Sequence, residues 1–162
     1  MTEQFQFFKK QITHPIKYRL FMLKNLPSAY FAGVKLVDIN EEQATATVPL
    51  KWFTKNPFRS IYVAVLSMAA EISTGVLCMG HLYRRNPAVS MLVVNMDGSF
   101  YKKSTGVISF VCDAGKEVRE AIERTTATGE SVTVNCNTKG YNEAKELVAE
   151  FNFTWSFKAR SK

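Results

Sequence analysis

KNPFRSIYVAVLSMAAEISTGVLCMG, from Lys55 to Gly80, is the stretch on which the fold of this chain turns. Between Arg59 and His81 it holds one charge, Glu71. A carboxylate in the middle of an apolar, helix-length segment is costly unless it has a partner or a task. Asn56-Pro57 favours a turn, and Ser60 is a suitable N-cap for a helix predicted to begin at Ile61. At a 3.6-residue period, Ser60, Ala64, Ser67, Glu71, Thr74, Gly75 and Cys78 fall on one small, partly polar stripe. Ile61, Val65, Met68, Ile72 and Val76 fall on a purely apolar one. One face is therefore expected to pack while the other leaves room beside an acid. Twenty residues from Ile61 to Gly80 are enough to cross a bilayer. The central Glu, the three Ser/Thr, the two Gly and the alternating segments downstream argue against a membrane span. A Glu satisfied by backbone or by Ser67, with no chemistry, stays open beside the functional reading.

Outward from that segment, strand-like runs alternate with turns. Gly33 to Lys51 reads as a hairpin about Asn40-Glu41-Glu42. Ala88 to Lys103 has strand composition, and Asp97-Gly98 inside it is read as a bulge rather than a hairpin turn. Val107 to Cys112, Ser131 to Thr138 and Val148 to Lys158 are further strands, with a short helix between Gly115 and Thr126. The last strand alternates Phe151, Phe153, Trp155 and Phe157 with polar residues. Residues 1–12 read as a short helix or arm. A helical stripe of Tyr18, Phe21, Met22 and Leu26 runs from Thr13-His14-Pro15 to Pro27, and either covers one end of the core or lids a site. The pattern predicts one α+β domain over residues 1–162, a sheet wrapped around a long apolar helix, with an N-terminal helical extension of about 30 residues.

The 162 residues carry a formal charge of +7, which favours an anionic partner. The basic residues are spread rather than forming a long run, so nucleic acid is supported by net charge alone. Three cysteines without C-x-x-C spacing, and only two histidines, argue against a disulfide framework and a metal site and fit a reducing, cytoplasmic setting. The first fifteen residues show no signal-peptide pattern.

The segment from Asn56 to Glu71 and the strands around it resemble hotdog-fold proteins. The chain is most similar to the PaaI-like thioesterase branch and to a related group classed as a domain of unknown function (DUF4442-type). Such proteins pair an Asn, a short loop, a His-Gly-Gly-like triplet and an acid on the central helix. Here Asn56 stands fifteen positions before Glu71, and Tyr62-Val63-Ala64 stands where the triplet would be. The resemblance implies hydrolysis of an acyl-CoA or acyl-carrier-protein thioester without a cofactor. It makes Glu71 general base or nucleophile, lets Asn56 position water or polarise the carbonyl, and gives an oxyanion site to the N–H of Val63, with Tyr62. Ser67 and Thr74, one turn from Glu71, orient water or carboxylate, or are small residues that allow close packing. Ser60, Phe58, Arg59, Arg84 and Arg85 are expected near the substrate, with Lys55, Lys102 and Lys103 as further phosphate ligands. Trp52, Phe53 and Phe58 line an acyl tunnel or pack in the core. The resemblance further implies a homodimer, with acid and loop facing each other across the interface and the sheet continued through about Ala88 to Asn95. Two dimers can then pair into a tetramer. A non-catalytic hotdog module that binds acyl chains or CoA is the alternative.

Overall fold

The computed structural model describes residues 1–160. Three helices open the chain: α1 (Glu3–Ile12), α2 (Pro15–Asn25) and α3 (Pro27–Ala32). A hairpin of β1 (Lys35–Ile39) and β2 (Ala44–Pro49) precedes the long α4 (Val63–Leu82). β3 (Val89–Phe100), β4 (Val107–Cys112), α5 (Gly115–Thr128), β5 (Val132–Tyr141) and β6 (Leu147–Ala159) complete the order. All six strands join one antiparallel sheet in the order β1-β2-β4-β5-β6-β3. β1 and β3 are its edges.

Local chemistry sets the boundaries. Asn40 closes the β1–β2 turn, its side-chain oxygen accepting from the amides of Glu42 and Gln43 at 2.8 and 2.9 Å. Pro27 ends α2, yet it also occupies the first turn of α3, where its missing N–H costs nothing. The third helix is absent from the sequence reading for that reason: a proline is a stop and a start at once. Gly33, with φ +81°, closes α3 in the left-handed region.

The central helix begins two residues later than expected, and Ser60 is not its cap. The Ile61 amide donates to the Ser104 carbonyl at 2.9 Å, and Lys55 and Ile61 form an isolated bridge that holds Ile61 extended. Tyr62 becomes the N-cap residue, with no side-chain hydrogen bond of its own.

The two faces of α4 are also not divided as the stripes suggest. Ala69, Ala70, Ser73, Thr74, Leu77 and Cys78 are fully buried, and α4 packs against the sheet. Ser73 fits there because its hydroxyl donates to the Ala70 carbonyl at 2.7 Å and shares a 2.8 Å bond with Thr138. The small residues of that row bring strands and helix close. Met68 and Ile72 pack against the core as expected, but they are only half-buried and also line a cavity.

β3 is a single strand, as expected. Its register shift falls between Val93 and Asn95 rather than at Asp97-Gly98. Gly98 has a packing role: a Cβ there would lie 2.8 Å from the Phe151 ring. Phe151, Phe153, Trp155 and Phe157 of β6 all point inward and are buried. The N-terminal helices cover α4 on the side the sheet leaves open. Phe5 of α1 lies over Gly80, where a Cβ would approach its ring to 2.5 Å. The Arg84 guanidinium stacks 4.4 Å above the Phe7 ring, which ties the α4–β3 loop to α1.

Candidate active site at the centre of the long helix

Glu71 projects from the middle of α4 at the wall of a cavity of about 530 Å³, a size ordinary for small-ligand sites. The other walls are mostly apolar: Tyr18, Phe21, Met22 and Leu26 from α2 and its end, Met68, Ile72, Gly75 and Met79 from α4, and Met91 and Trp155 from the sheet, with Asn25 and Ser28 adding uncharged polar groups. Among the described lining residues Glu71 is the charged one. Its side chain is exposed to water on one side, and the partial loss of hydration beside those walls raises its pKa above the usual carboxylate range.

The floor of the cavity is fixed by a hydrogen-bonded relay. The Trp155 Nε1–H donates to Thr74 Oγ1 at 3.0 Å, and that hydroxyl donates to the backbone carbonyl of Glu71 at 3.0 Å. Gly75 lets the indole approach, since a Cβ there would stand 3.3 Å from the Trp155 ring. Thr74 therefore holds the helix backbone under the acid rather than the carboxylate itself. Ser67 donates its hydroxyl to the Ala64 carbonyl at 2.8 Å, leaving that oxygen only as an acceptor.

Asn56 is committed to its own loop. Its side-chain oxygen accepts from the amides of Phe58 and Ser60 at 2.9 and 3.2 Å, and its amide group donates to Ser60 Oγ and the Ile61 carbonyl. Ser60, expected beside the substrate, is the buried partner of that knot. The knot shapes the entry into α4. Tyr62 and Val63 stand exposed at the helix start, and no described residue accepts from the Val63 or Ala64 N–H. Free amides at a helix N-terminus favour negative charge. Val63 and Glu71 are eight residues apart on one helix, about 12 Å along its axis. Within one chain they are too distant to act on the same atom.

The aromatic residues before α4 do not line the cavity. Trp52, Phe53 and Phe58 are exposed on the loop. The wall facing α4 comes instead from α2 and the α2–α3 junction, the helical stripe read from sequence as a cover for the core or a lid over a site. Met91 and Trp155 were visible as strand residues but not as cavity residues. Arg59 is exposed in the left-handed region with φ 60°, Arg84 lies against Phe7, and Arg85 is half-buried in the turn after α4. No group of three or more His, Cys, Asp or Glu side chains is placed to hold a metal among the described residues. Cys78, Cys112 and Cys136 are free and buried, and a hydrogen bond with Cys136, together with burial, pushes the Cys112 thiol far up.

A six-stranded antiparallel sheet wrapped about a long helix in this strand order is the hotdog fold. The chain belongs to the family described as a domain of unknown function (DUF4442), whose model matches residues 19–157. No curated protein matches it. Among solved structures it is similar to a probable thioesterase of unknown function from Pseudomonas aeruginosa, with 16% identity and a TM-score of 0.76 over 90% of this chain and 97% of that one. A putative thioesterase from Shewanella oneidensis matches at 10% identity and a TM-score of 0.73, over 99% of this chain and 100% of that one. The E. coli PaaI protein from the phenylacetic acid degradation operon matches at 13% identity and a TM-score of 0.62, over 86% and 88%. At these identities the likeness is one of fold.

Proposed function

We propose that the protein hydrolyses acyl thioesters, of coenzyme A or acyl-carrier protein, at a site shared by two copies of the chain. The observation that carries the reading is Glu71, a carboxylate of raised pKa and, among the described residues, the one charged side chain lining a largely apolar cavity. A base tuned toward neutrality accepts a proton from water more readily. The water oxygen then adds to the thioester carbonyl, and the C–S bond breaks with the thiolate leaving. The developing oxyanion needs a donor, and the unpaired Val63 N–H is of the right kind. Because about 12 Å of helix separates the two groups, the donor comes from a second copy whose α4 runs antiparallel. The names of the solved relatives support thioester chemistry. The bare edge of β3, with Leu92, Val94 and Met96 exposed, supports the pairing.

Purified protein assayed against a panel of acyl-CoAs with a thiol reagent tests the reading. Turnover is expected to fall at least a hundredfold in Glu71→Ala, and full turnover in that variant would end the role given to Glu71. Single-turnover hydrolysis in ¹⁸O water tests the nucleophilic route, since label in the Glu71 carboxylate arises only when water opens an acyl anhydride at the Glu71 carbonyl carbon.

The saturated Asn56 carboxamide, which has no hydrogen bond to spare for a substrate, favours a second reading as a non-catalytic acyl or CoA binder. Thermal stabilisation by acyl-CoA with no thiol release would select it.

A further inference from the structure

The positive charge of this protein is not evenly placed. Between Glu3 and Asp38 the chain holds Lys9, Lys10, Lys17, Arg19, Lys24 and Lys35 and no acidic residue, so that segment accounts for six of the net +7. In the fold it forms α1, α2, α3 and the start of β1. Lys9 is paired with Asp38, while Lys17, Arg19 and Lys24 form no ion pair among the described residues.

α2 is apolar on two sides. Its inner side gives Tyr18, Phe21 and Met22 to the cavity beside Glu71. Its outer side presents Ile16, Leu20 and Leu23, spaced i, i+4 and i+7 on one stripe, with 65%, 62% and 44% of their surface exposed. Beside that stripe lies a depression of about 580 Å³ whose lining includes Arg19, Lys35, Lys51, Tyr30 and Phe31. An aliphatic ridge thus stands next to a hollow rimmed by three cations.

We propose that the outer face of α2, with the adjoining cationic depression, seats the protein on the surface of an anionic phospholipid bilayer. The aliphatic ridge enters the boundary between headgroups and acyl chains, and the cations meet phosphate oxygens. A second copy fits this face poorly. A two-fold contact centred on α2 would set the basic segment against its own duplicate, with like charges opposed. A bilayer of negative surface potential supplies the opposite sign. The assignment is independent of the hydrolytic reading, although the same helix would then have lipid on one side and the Glu71 cavity on the other.

Co-sedimentation of the full chain with vesicles decides it. Binding is expected to vesicles of phosphatidylcholine mixed with phosphatidylglycerol, much less to phosphatidylcholine alone, and it should weaken as salt rises. Lys17→Gln and Arg19→Gln should each lower the partition coefficient about fivefold, and Leu20→Glu with Leu23→Glu at least about tenfold. Circular dichroism melts check that the variants fold, and if the double Glu variant does not, the two Gln variants decide. Absence of binding to the mixed vesicles, or equal binding by the variants, overturns the proposal. So does a halved mass in light scattering for the double Glu variant, because the face would then be a contact between copies.

Discussion

Glu71 costs the fold something that its task would repay. Its pKa is raised by lost hydration, so the charged form is the disfavoured one in the folded chain. Its contribution to stability is most favourable below the unfolded carboxylate pKa and is lost as pH rises through the higher folded value. At neutral pH, Glu71→Gln is therefore expected to raise Tm, by roughly 1–2 °C, a small gain because the side chain still touches water. The same change should abolish thioester hydrolysis. Differential scanning fluorimetry and the acyl-CoA assay on one sample check both halves. Val63 offers a complementary test. It is the first residue of α4, where proline is tolerated, and Tyr62 before it is already extended with ψ 137°. Val63→Pro should keep the fold and delete only the N–H, lowering kcat about 10²–10³-fold if that amide is the oxyanion donor. A kcat equal to wild type would remove Val63 from the mechanism.

At the scale of elements, the end of α4 is joined to the β1–β2 turn through His81. Its Nε2 lies 2.8 Å from the Glu41 carbonyl, an acceptor only, so Nε2 carries the proton and donates. Burial, chiefly, holds the His81 pKa below its ordinary value. The unfolded chain takes up a proton near the ordinary value of 6.5 and the folded chain only at lower pH. Stability is thus fully present above that value and falls as pH drops toward the folded pKa. His81→Gln keeps a donor without titrating and should flatten the pH dependence of the denaturation midpoint through that window. An unchanged slope would show that other groups carry it. The neighbouring Gly80 is a docking point for α1. Gly80→Ala should displace Phe5 and cost about 1–3 kcal/mol, with faster proteolysis in α1 as the readout.

These elements also show what the sequence made legible. The β6 alternation, the α4 segment and the hairpin about Asn40 are local patterns, and their periodicity and turn chemistry are enough to place them. Ser60 misleads because a competing long-range bond, Ile61 to Ser104, delays the helix start. Met68 and Ile72 look like core by spacing. Whether an apolar helix face meets a sheet or a cavity depends on where α2 lies, and that is a tertiary fact. The acid itself was legible, because one charge in a long apolar run stands out whatever surrounds it. Asn56 was singled out by the resemblance to hotdog proteins, but its carboxamide turns inward to knot its own loop, which no residue interval reveals.

For the whole molecule, the separation of Glu71 from the free amides makes assembly and activity a single question. Leu92 and Val94 are 66% and 53% exposed on a β3 edge that has no strand beside it among the described residues. If two copies pair there, Leu92→Lys with Val94→Lys places like charges across the two-fold axis and should yield monomers by light scattering, with hydrolysis lost in parallel. A stable but inactive monomer supports the shared site, whereas an active monomer refutes it. Mixing two crippled proteins is a sharper test, since neither copy need be dissociated permanently. Val63→Pro keeps the acid and lacks the donor, and Glu71→Gln keeps the donor and lacks the acid. Half of randomly exchanged dimers are hybrids, and each hybrid has one site with both groups intact. Activity should therefore return to about a quarter of the wild-type level. If acid and amide acted within one chain, every site in the mixture would lack one of them and no activity would return.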